Sequence, residues 1–259
     1  MQNEILNKIT LSVYIILVLF IFESGEAQAQ TCGFGCLGLG GFYGGYTVQK
    51  YDAHGLNAYI QGYNVANASA IKQKMSRFGD NAQGLRLGAN IFRTKSDHAF
   101  FSVKGFYQFM KEEHRAVEII SDKEVSTTWK LDLNYYGAGA DFGLVLGRWF
   151  DLKIIEAEVT FNTANLSVNE NPVSTKLNNV EFRNSTKVIG YTIGGGFIFH
   201  LIIDYVSIEA TAGYTNFKAD QLENQSAQKP DNSFDSIKNF IAGGGITGSV
   251  QMNVGIPLY

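Results

Sequence analysis

Between Ile246 and Leu258, apolar side chains recur at Ile246, Val250, Met252, Val254, Ile256 and Leu258, while Thr247, Ser249, Gln251 and Asn253 occupy the other parity. Side chains of a strand point alternately to its two faces, so this segment carries one greasy face and one wet face. The alternation returns elsewhere. Phe101, Val103, Tyr107 and Phe109 oppose Ser102, Lys104, Gln108 and Glu112; Ile155, Ala157, Val159 and Phe161 oppose Glu156, Glu158, Thr160 and Asn162; Val206, Ile208, Ala210, Ala212 and Tyr214 oppose Ser207, Glu209, Thr211 and Thr215. Parity predicts eight strands, over 41–51, 84–94, 98–112, 126–147, 152–165, 184–200, 204–217 and 238–258. Each is a weak signal, and their repetition is the signature of an antiparallel up-and-down β-barrel.

The connections carry a second pattern. Thr94–Asp97, Gly147–Asp151 and Leu201–Asp204 are short, whereas 52–83, 113–125, 166–183 and 218–237 are long and polar. Short and long alternate, as in a transmembrane barrel with both termini in the periplasm and long loops outside. In the first long connection, Leu56, Tyr59, Ile60 and Tyr63 fall at helical spacing and predict a short amphipathic helix that caps the barrel mouth or meets a ligand or partner.

One segment strains the scheme. Trp129, Leu131, Leu133 and Tyr135 are apolar on odd positions, but Ala138, Phe142, Leu144 and Leu146 are apolar on even ones. With unbroken parity, either Asp132 or Asp141 faces lipid, at a cost of about 2–4 kcal/mol at the bilayer midplane. A β-bulge near Tyr136–Gly137 turns both aspartates inward, and this bulge is the expectation.

The N-terminus sets the compartment. Lys8 precedes an apolar run from Ile9 to Phe22, and Ala27-Gln28-Ala29 closes it as an A-x-A cleavage site. The run is too short for a helix that must cross ~30 Å of hydrocarbon, so a signal peptide over 1–29 is expected. Residues 30–40 form a Gly/Cys-rich lead-in, and 41–259 the barrel. Removing 1–29 takes Lys8, Glu4, Glu23 and Glu26 from the 21 basic and 24 acidic residues, leaving 20 against 21. So balanced a chain has no electrostatic footprint for nucleic acid. An oxidising compartment favours a disulfide between Cys32 and Cys36; as a metal signal their spacing is weak without further Cys or His.

A soluble lipocalin-like carrier also alternates over about eight strands, with its apolar face inward. Rings near strand ends (Phe42, Tyr46, Trp129, Tyr135, Phe197, Phe199, Tyr214) and a small-residue Gly/Ser/Thr/Asn opposite face favour the membrane barrel. Its polar face then lines the lumen, which makes Arg86, Lys104, Asp132, Asp141, Glu156, Glu158 and Glu209 interior charges. In so narrow a lumen they must pair with one another. The expected product is a structural plug; an ion path is the alternative.

Chemical motifs are few. Gly33-Phe-Gly-Cys-Leu-Gly38 satisfies G-x-G-x-x-G, but it follows a leader and opens no helix, so no cofactor is expected. Four histidines occur, His54, His98, His114 and His200. Only His54, with loop serines, suits the lipid A acyltransferase or deacylase chemistry that eight-stranded barrels support, and no local motif accompanies it. No catalytic or metal residue is assigned.

The leader ending Ala27-Gln28-Ala29, the early Gly40-Gly41-Phe42-Tyr43-Gly44-Gly45-Tyr46 strand, the glycine-interrupted strands and the alternating last strand ending at Tyr259 resemble small outer-membrane β-barrel proteins of the OmpA-like or OmpX-like group, in particular those of Bacteroidetes-type bacteria. The resemblance implies residence in a bacterial outer membrane, contact with its lipid and delivery by the barrel assembly machinery. Against its pattern, Leu258 and not Tyr259 holds the lipid-facing parity. The expected role is structural, adhesive or surface-interactive, through long loops that meet an extracellular protein or glycan. A small pore or solute-binding barrel comes second, a lipid-modifying enzyme third and the lipocalin-like carrier fourth.

Overall fold

A computed structural model describes residues 40–171, 180–184, 187–203, 205–224 and 236–255. In chain order the elements are β1 (Gly41–Gln49), α1 (His54–Ala66), β2 (Ile71–Gln73), β3 (Ala82–Lys95), β4 (Ala99–Ile120), β5 (Lys123–Val145), β6 (Phe150–Asn171), β7 (Val180–Asn184), β8 (Val188–Ile202), β9 (Val206–Asn216), β10 (Ala219–Asn224), β11 (Ser236–Ile241) and β12 (Gly245–Val254). Eight of them, β1, β3, β4, β5, β6, β8, β9 and β12, pair antiparallel, and β6–β8 pairing closes the ring. Closure leaves no strand edge in the wall, which is what a sheet needs if it is to stand in lipid.

Over its lower part the barrel is polar inside and apolar outside. Phe101, Val103, Gly105, Tyr107 and Phe109 of β4 point out, as do Tyr136, Ala138, Ala140, Phe142 and Leu144 of β5 and Ile155, Ala157, Val159 and Phe161 of β6. None of these is charged. Rings gather at both rims: Phe92–Phe101 (6.4 Å between centroids) and Phe150–Phe197 (6.0 Å) at the short-turn end, Tyr107–Phe109 (6.3 Å) and Tyr136–Phe161 (5.2 Å) at the other. From Phe101 to Phe109 the strand runs about 26 Å, and a tilt of about 40° leaves about 20 Å of height, close to the ~25 Å apolar band of a transmembrane barrel. The lipocalin-like arrangement, with the apolar face inward, is the reverse of this belt.

Above the belt the polarity inverts while the strands continue. On β5, Trp129, Leu131, Leu133 and Tyr135 are buried inside, and Lys130, Asp132 and Asn134 face out. On β6, Ala164, Leu166 and Val168 are inside, with Thr163, Asn165, Ser167 and Asn169 outside; on β4 the outward residues become Lys111, Glu113 and Arg115. The β4–β5 register runs from Ala99↔Leu144 to Ile120↔Lys123 without a shift, and β5–β6 pairing is regular past Tyr136–Gly137. The expected bulge is therefore absent. Side-chain direction is constant, and what changes is the character of the outer surface, from an apolar belt to a polar wall. Asp132 lies outside above the belt, 2.8 Å from Lys130, while Asp141 lies in the lumen.

Three bulges do occur elsewhere in the barrel wall. They sit at the apolar doublets Ile91-Phe92, Ile154-Ile155 and Leu201-Ile202, all towards the short-turn end. Each lets two successive apolar residues face outward while polar parity switches, so that Asn90 and Arg93, or Lys153 and Glu156, share the interior.

The long connections are more structured than their polarity suggests. Residues 113–125 form a β-hairpin closed by Ser121 and Asp122, at φ 51° and 62°, the paired positive values of a type I′ turn. β6 continues to Asn171 and pairs with β7, β7 with β10, and β10 with β11; β2 pairs with the upper end of β4. With α1 these segments form a head on the outer end of the barrel.

Candidate functional site

Two constructions bear on function, the filling of the lumen and the head above it. In the lumen, Lys104 Nζ lies 3.1 Å from Asp141 and 3.0 Å from Glu158, and also pairs with Glu156. Lys153 Nζ lies 3.1 Å from Asp141 and 4.0 Å from Glu156, and pairs with Glu209. Arg86 pairs with Glu158 and stacks 3.8 Å from the centroid of the Phe106 ring. Ser102 Oγ donates to Asp141 (3.1 Å), and Asn253 Nδ2 donates to Glu209 (3.3 Å). Lys104 and Lys153 are each only 1% exposed, so their charges are tenable only through these partners.

Sequence pattern explains why the groups fit. The long charged side chains come mostly from β3–β6, and the wall they face is built of Thr192, Gly194, Thr211, Gly213, Thr247 and Ser249. Small side chains on one wall leave space for long ones from the other. The cavity left between them measures about 10 Å³. That holds about one water molecule.

A second cluster lies nearer the short turns. Asp151, fully buried, receives Lys95 Nζ at 2.9 Å and lies 2.8 Å from His200 Nε2 and 3.6 Å from Arg93. Among the described residues no three His, Cys, Asp or Glu side chains gather as a metal site would require.

The head has its own apolar core. Leu56 and Ile60 of α1 are buried with Met75, Phe78, Met110, Trp129, Leu131, Leu133, Phe217 and Phe240. Tyr59 and Tyr63 lie against Trp129, at 5.3 and 6.1 Å between ring centroids. The predicted helical face is thus the face that packs, over His54–Ala66. Two asparagines tie the helix to the chain that returns beneath it. Asn57 exchanges two hydrogen bonds with the Phe78 backbone, both 2.8 Å, and Asn64 exchanges two with Met75, both 3.0 Å.

Carboxylates on β4 complete the seating. Glu112 accepts from Tyr51 Oη (2.8 Å) and from the Gly79 amide (3.2 Å), with His114 Nε2 2.9 Å away. Tyr63 donates to Glu118 and lies 3.3 Å from Thr127 Oγ1. Burial raises the Tyr63 phenol well above its ordinary range, and the bond to Glu118 raises it further. Tyr51 is shifted the same way, first by burial and then by the charge of Glu112.

The structure brings together six of the seven charges expected in the lumen, Arg86, Lys104, Asp141, Glu156, Glu158 and Glu209, and leaves out Asp132. Lys153 completes the cluster and escapes a parity reading, because the bulge at Ile154-Ile155 moves it to the inner face. The doublet, with polar parity reversed across it, is the signal that could have found it. The Asp151 cluster and the Glu112 and Glu118 seats escape as well. Of the histidines, His54 opens α1 and is exposed, and His114 and His200 pair with carboxylates. Cys32, Cys36, the leader, Ile256, Leu258 and Tyr259 lie outside the described residues.

Comparison with models of known protein families and with curated proteins finds no match. Among solved structures, the attachment invasion locus protein Ail of Yersinia pestis is 12% identical, covering 83% of this chain and 97% of its own, with a TM-score of 0.38. The same protein, solved with the heparin analogue sucrose octasulfate, is 11% identical with the same coverage and score. The outer membrane protease OmpT of Escherichia coli is 9% identical, over 84% of this chain and 94% of its own, with a TM-score of 0.35.

Proposed function

We propose that the chain is an anchored surface-recognition protein of a bacterial outer membrane. In this reading a leader ending at Ala29 exports it, the barrel assembly machinery inserts it, the sealed barrel holds it in lipid, and the head meets an extracellular protein or glycan. The observation that carries the reading is the head's own buried core, in which α1 lies along β11 and sets Tyr59 and Tyr63 against Trp129 of β5 and Tyr63 against Glu118 of β4. A recognition surface built on paired strands is ordered before it meets a partner, so binding does not bear the cost of ordering loops. A lumen crossed by paired charges, with about 10 Å³ of space beside them, favours an anchor over a pore.

The reading assigns no catalytic step to the chain. Replacing His54 by Ala should leave the lipid A mass spectrum of expressing cells unchanged, and a changed spectrum would favour the acyltransferase or deacylase reading.

The direct test displays the full chain in the outer membrane of a heterologous Gram-negative host. A variant with β4 and β5 rejoined by a two-residue turn between Lys111 and Asp132 removes the upper hairpin. Cells carrying the full chain should adhere to immobilised extracellular-matrix protein or glycosaminoglycan, and the trimmed variant, at equal surface amount, should lose that adhesion. Equal adhesion by both, or by neither, overturns the recognition role. Steady openings of the purified barrel in a planar bilayer overturn the sealed lumen.

A further inference from the structure

We infer that the barrel thins the membrane along one flank, at β3, and so weakens the bilayer on that side alone. The inference rests on the outer-membrane placement proposed above.

The apolar belt is not of one height. On β3 the outward apolar residues run from Leu85 to Phe92, six steps once the Ile91-Phe92 bulge is discounted, with exposed Gln83 above and exposed Thr94 below. The run is eight steps on β4 (Phe101 to Phe109), ten on β5 (Tyr136 to Leu146), ten on β8 (Ile189 to Phe199) and eight on β9 (Val206 to Tyr214). On β1, beside β3, the described run from Phe42 to Val48 spans six and meets exposed Lys50. In the ring of eight, β3 and β8 stand four strands apart, which is diametrically opposite. The belt is a wedge.

Rise and tilt turn steps into height. Six steps are about 20 Å of strand and, at a tilt of about 40°, about 15 Å of height; ten are about 33 Å and about 25 Å. Exposed Leu201 and Ile202 at the β8–β9 turn lengthen the tall side further. Tilting the whole barrel does not remove the difference, because tilt moves both edges of the belt on one flank the same way.

A bilayer meets a short apolar surface by thinning, since the alternative is to lay acyl chains over groups that need hydrogen bonds. The lower limit on β3 is built into the fold. The bulge at Ile91-Phe92 turns Arg93 into the lumen, towards Asp151, and the same shift of parity sets Thr94 on the outer face. On the opposite flank the first outward charge, exposed Lys187, stands two residues above Ile189. Where the two headgroup layers draw together beside β3, a polar group has the least hydrocarbon to cross.

The test places a nitroxide on Ala89→Cys, mid-belt on β3, or on Ile193→Cys, mid-belt on β8, in a chain lacking Cys32 and Cys36 and reconstituted into dioleoylphosphatidylcholine vesicles. Relaxation by oxygen, which enters lipid, against a nickel chelate, which stays in water, gives the depth of each label below the headgroups. The label on β3 should lie about 7 Å deep and that on β8 about 12 Å, half of each belt height. Gln83→Leu with Thr94→Leu lengthens the β3 run to ten steps and should bring its label to the depth found on β8. Equal depths without those two changes overturn the inference, and so does a β3 label that stays shallow with them. A β3 label closed to both relaxants means a protein contact, a second copy included, in place of thin lipid, and overturns it as well. Both labels open to the nickel chelate would remove the outer-membrane placement itself, whereas lipid-exposed labels at equal depth leave that placement standing.

Discussion

The ring of Phe100 lies across Gly143, its direct partner in the β4–β5 ladder, so closely that a Cβ on the glycine would stand 2.4 Å from the ring. Tyr43 over Gly88 and Phe106 over Gly137 repeat the arrangement at other directly paired positions. Each ring fills the lumen where its partner has no side chain. Gly143→Ala also brings a Cβ to 2.3 Å from the Leu152 carbonyl oxygen, so neither side yields easily. The expected loss is about 1–3 kcal/mol, the usual cost of overpacking. It should appear as a lower urea midpoint of the heat-modifiable folded form, with Gly147→Ala, which meets nothing within 4 Å, unchanged.

Lys153 bridges Asp141 on one side and Glu209 on the other. Lys153→Met leaves Asp141 with Lys104 and takes from Glu209 the cation that pairs with it. Breaking a buried pair in this way costs about 3–5 kcal/mol. Adding Glu209→Leu should recover part of that loss in the same unfolding assay, because the second change removes a stranded charge. If the double variant is no more stable than the single one, the pairing does not carry the energy assigned to it.

Outward residues of β5 should report the membrane boundary one by one. In a background lacking Cys32 and Cys36, cysteines at Thr128, Lys130 and Asp132 should react with a membrane-impermeant maleimide on intact cells. Cysteines at Ala138, Ala140 and Phe142 should not. Reaction at Ala140 would move the lipid belt.

The head should loosen in alkali before the barrel does. Tyr63 and Tyr51 are held protonated, by burial first and by Glu118 and Glu112 next. A phenol whose folded pKa is raised contributes stability that is complete below its unfolded pKa of about 10 and is lost as pH rises from there towards the folded value. Tyrosinate absorbance should therefore show a late-titrating group, released together with protease sensitivity in 52–81. Tyr63→Phe removes the group, and with it part of that transition.

Leu56→Asp should unseat α1 without unfolding the barrel. Leu56 is fully buried in the head core, and an unpaired carboxylate there costs several kcal/mol. Proteolysis should cut between residues 52 and 81 while the heat-modifiable band persists.

Much of this was legible strand by strand. The last strand, with Val250, Met252 and Val254 out and Ser249, Gln251 and Asn253 in, pairs with β1 and β9 as its parity requires. The α1 face of Leu56 and Ile60 was equally plain. What one strand does not carry is height. At Tyr135-Tyr136 and at Ile154-Ile155 the apolar parity switches in the same way, yet the second is a bulge and the first is the edge of the outer apolar belt. Only neighbours at the same level separate them. Met110 on β4 and Ala164 on β6 turn apolar inside where β5 does, whereas nothing beside Ile154-Ile155 follows suit. The hairpin turn at Ser121-Asp122 escaped for a local reason, since it lacks the glycine that usually marks its type. Lys153 and the Asp151 cluster were hidden by the bulges that place them.

Because β4 and β5 run unbroken from the short turns to the tip at Ser121-Asp122, the tip and the membrane belong to one mechanical piece. β4 alone spans 22 residues, about 70 Å of strand. A pull on the head acts along the strands, at right angles to their hydrogen bonds, so the flanking ladders are loaded in shear and share the force among many bonds at once. A flexible loop would stretch under the same pull; this hairpin passes tension straight into the wall of the barrel.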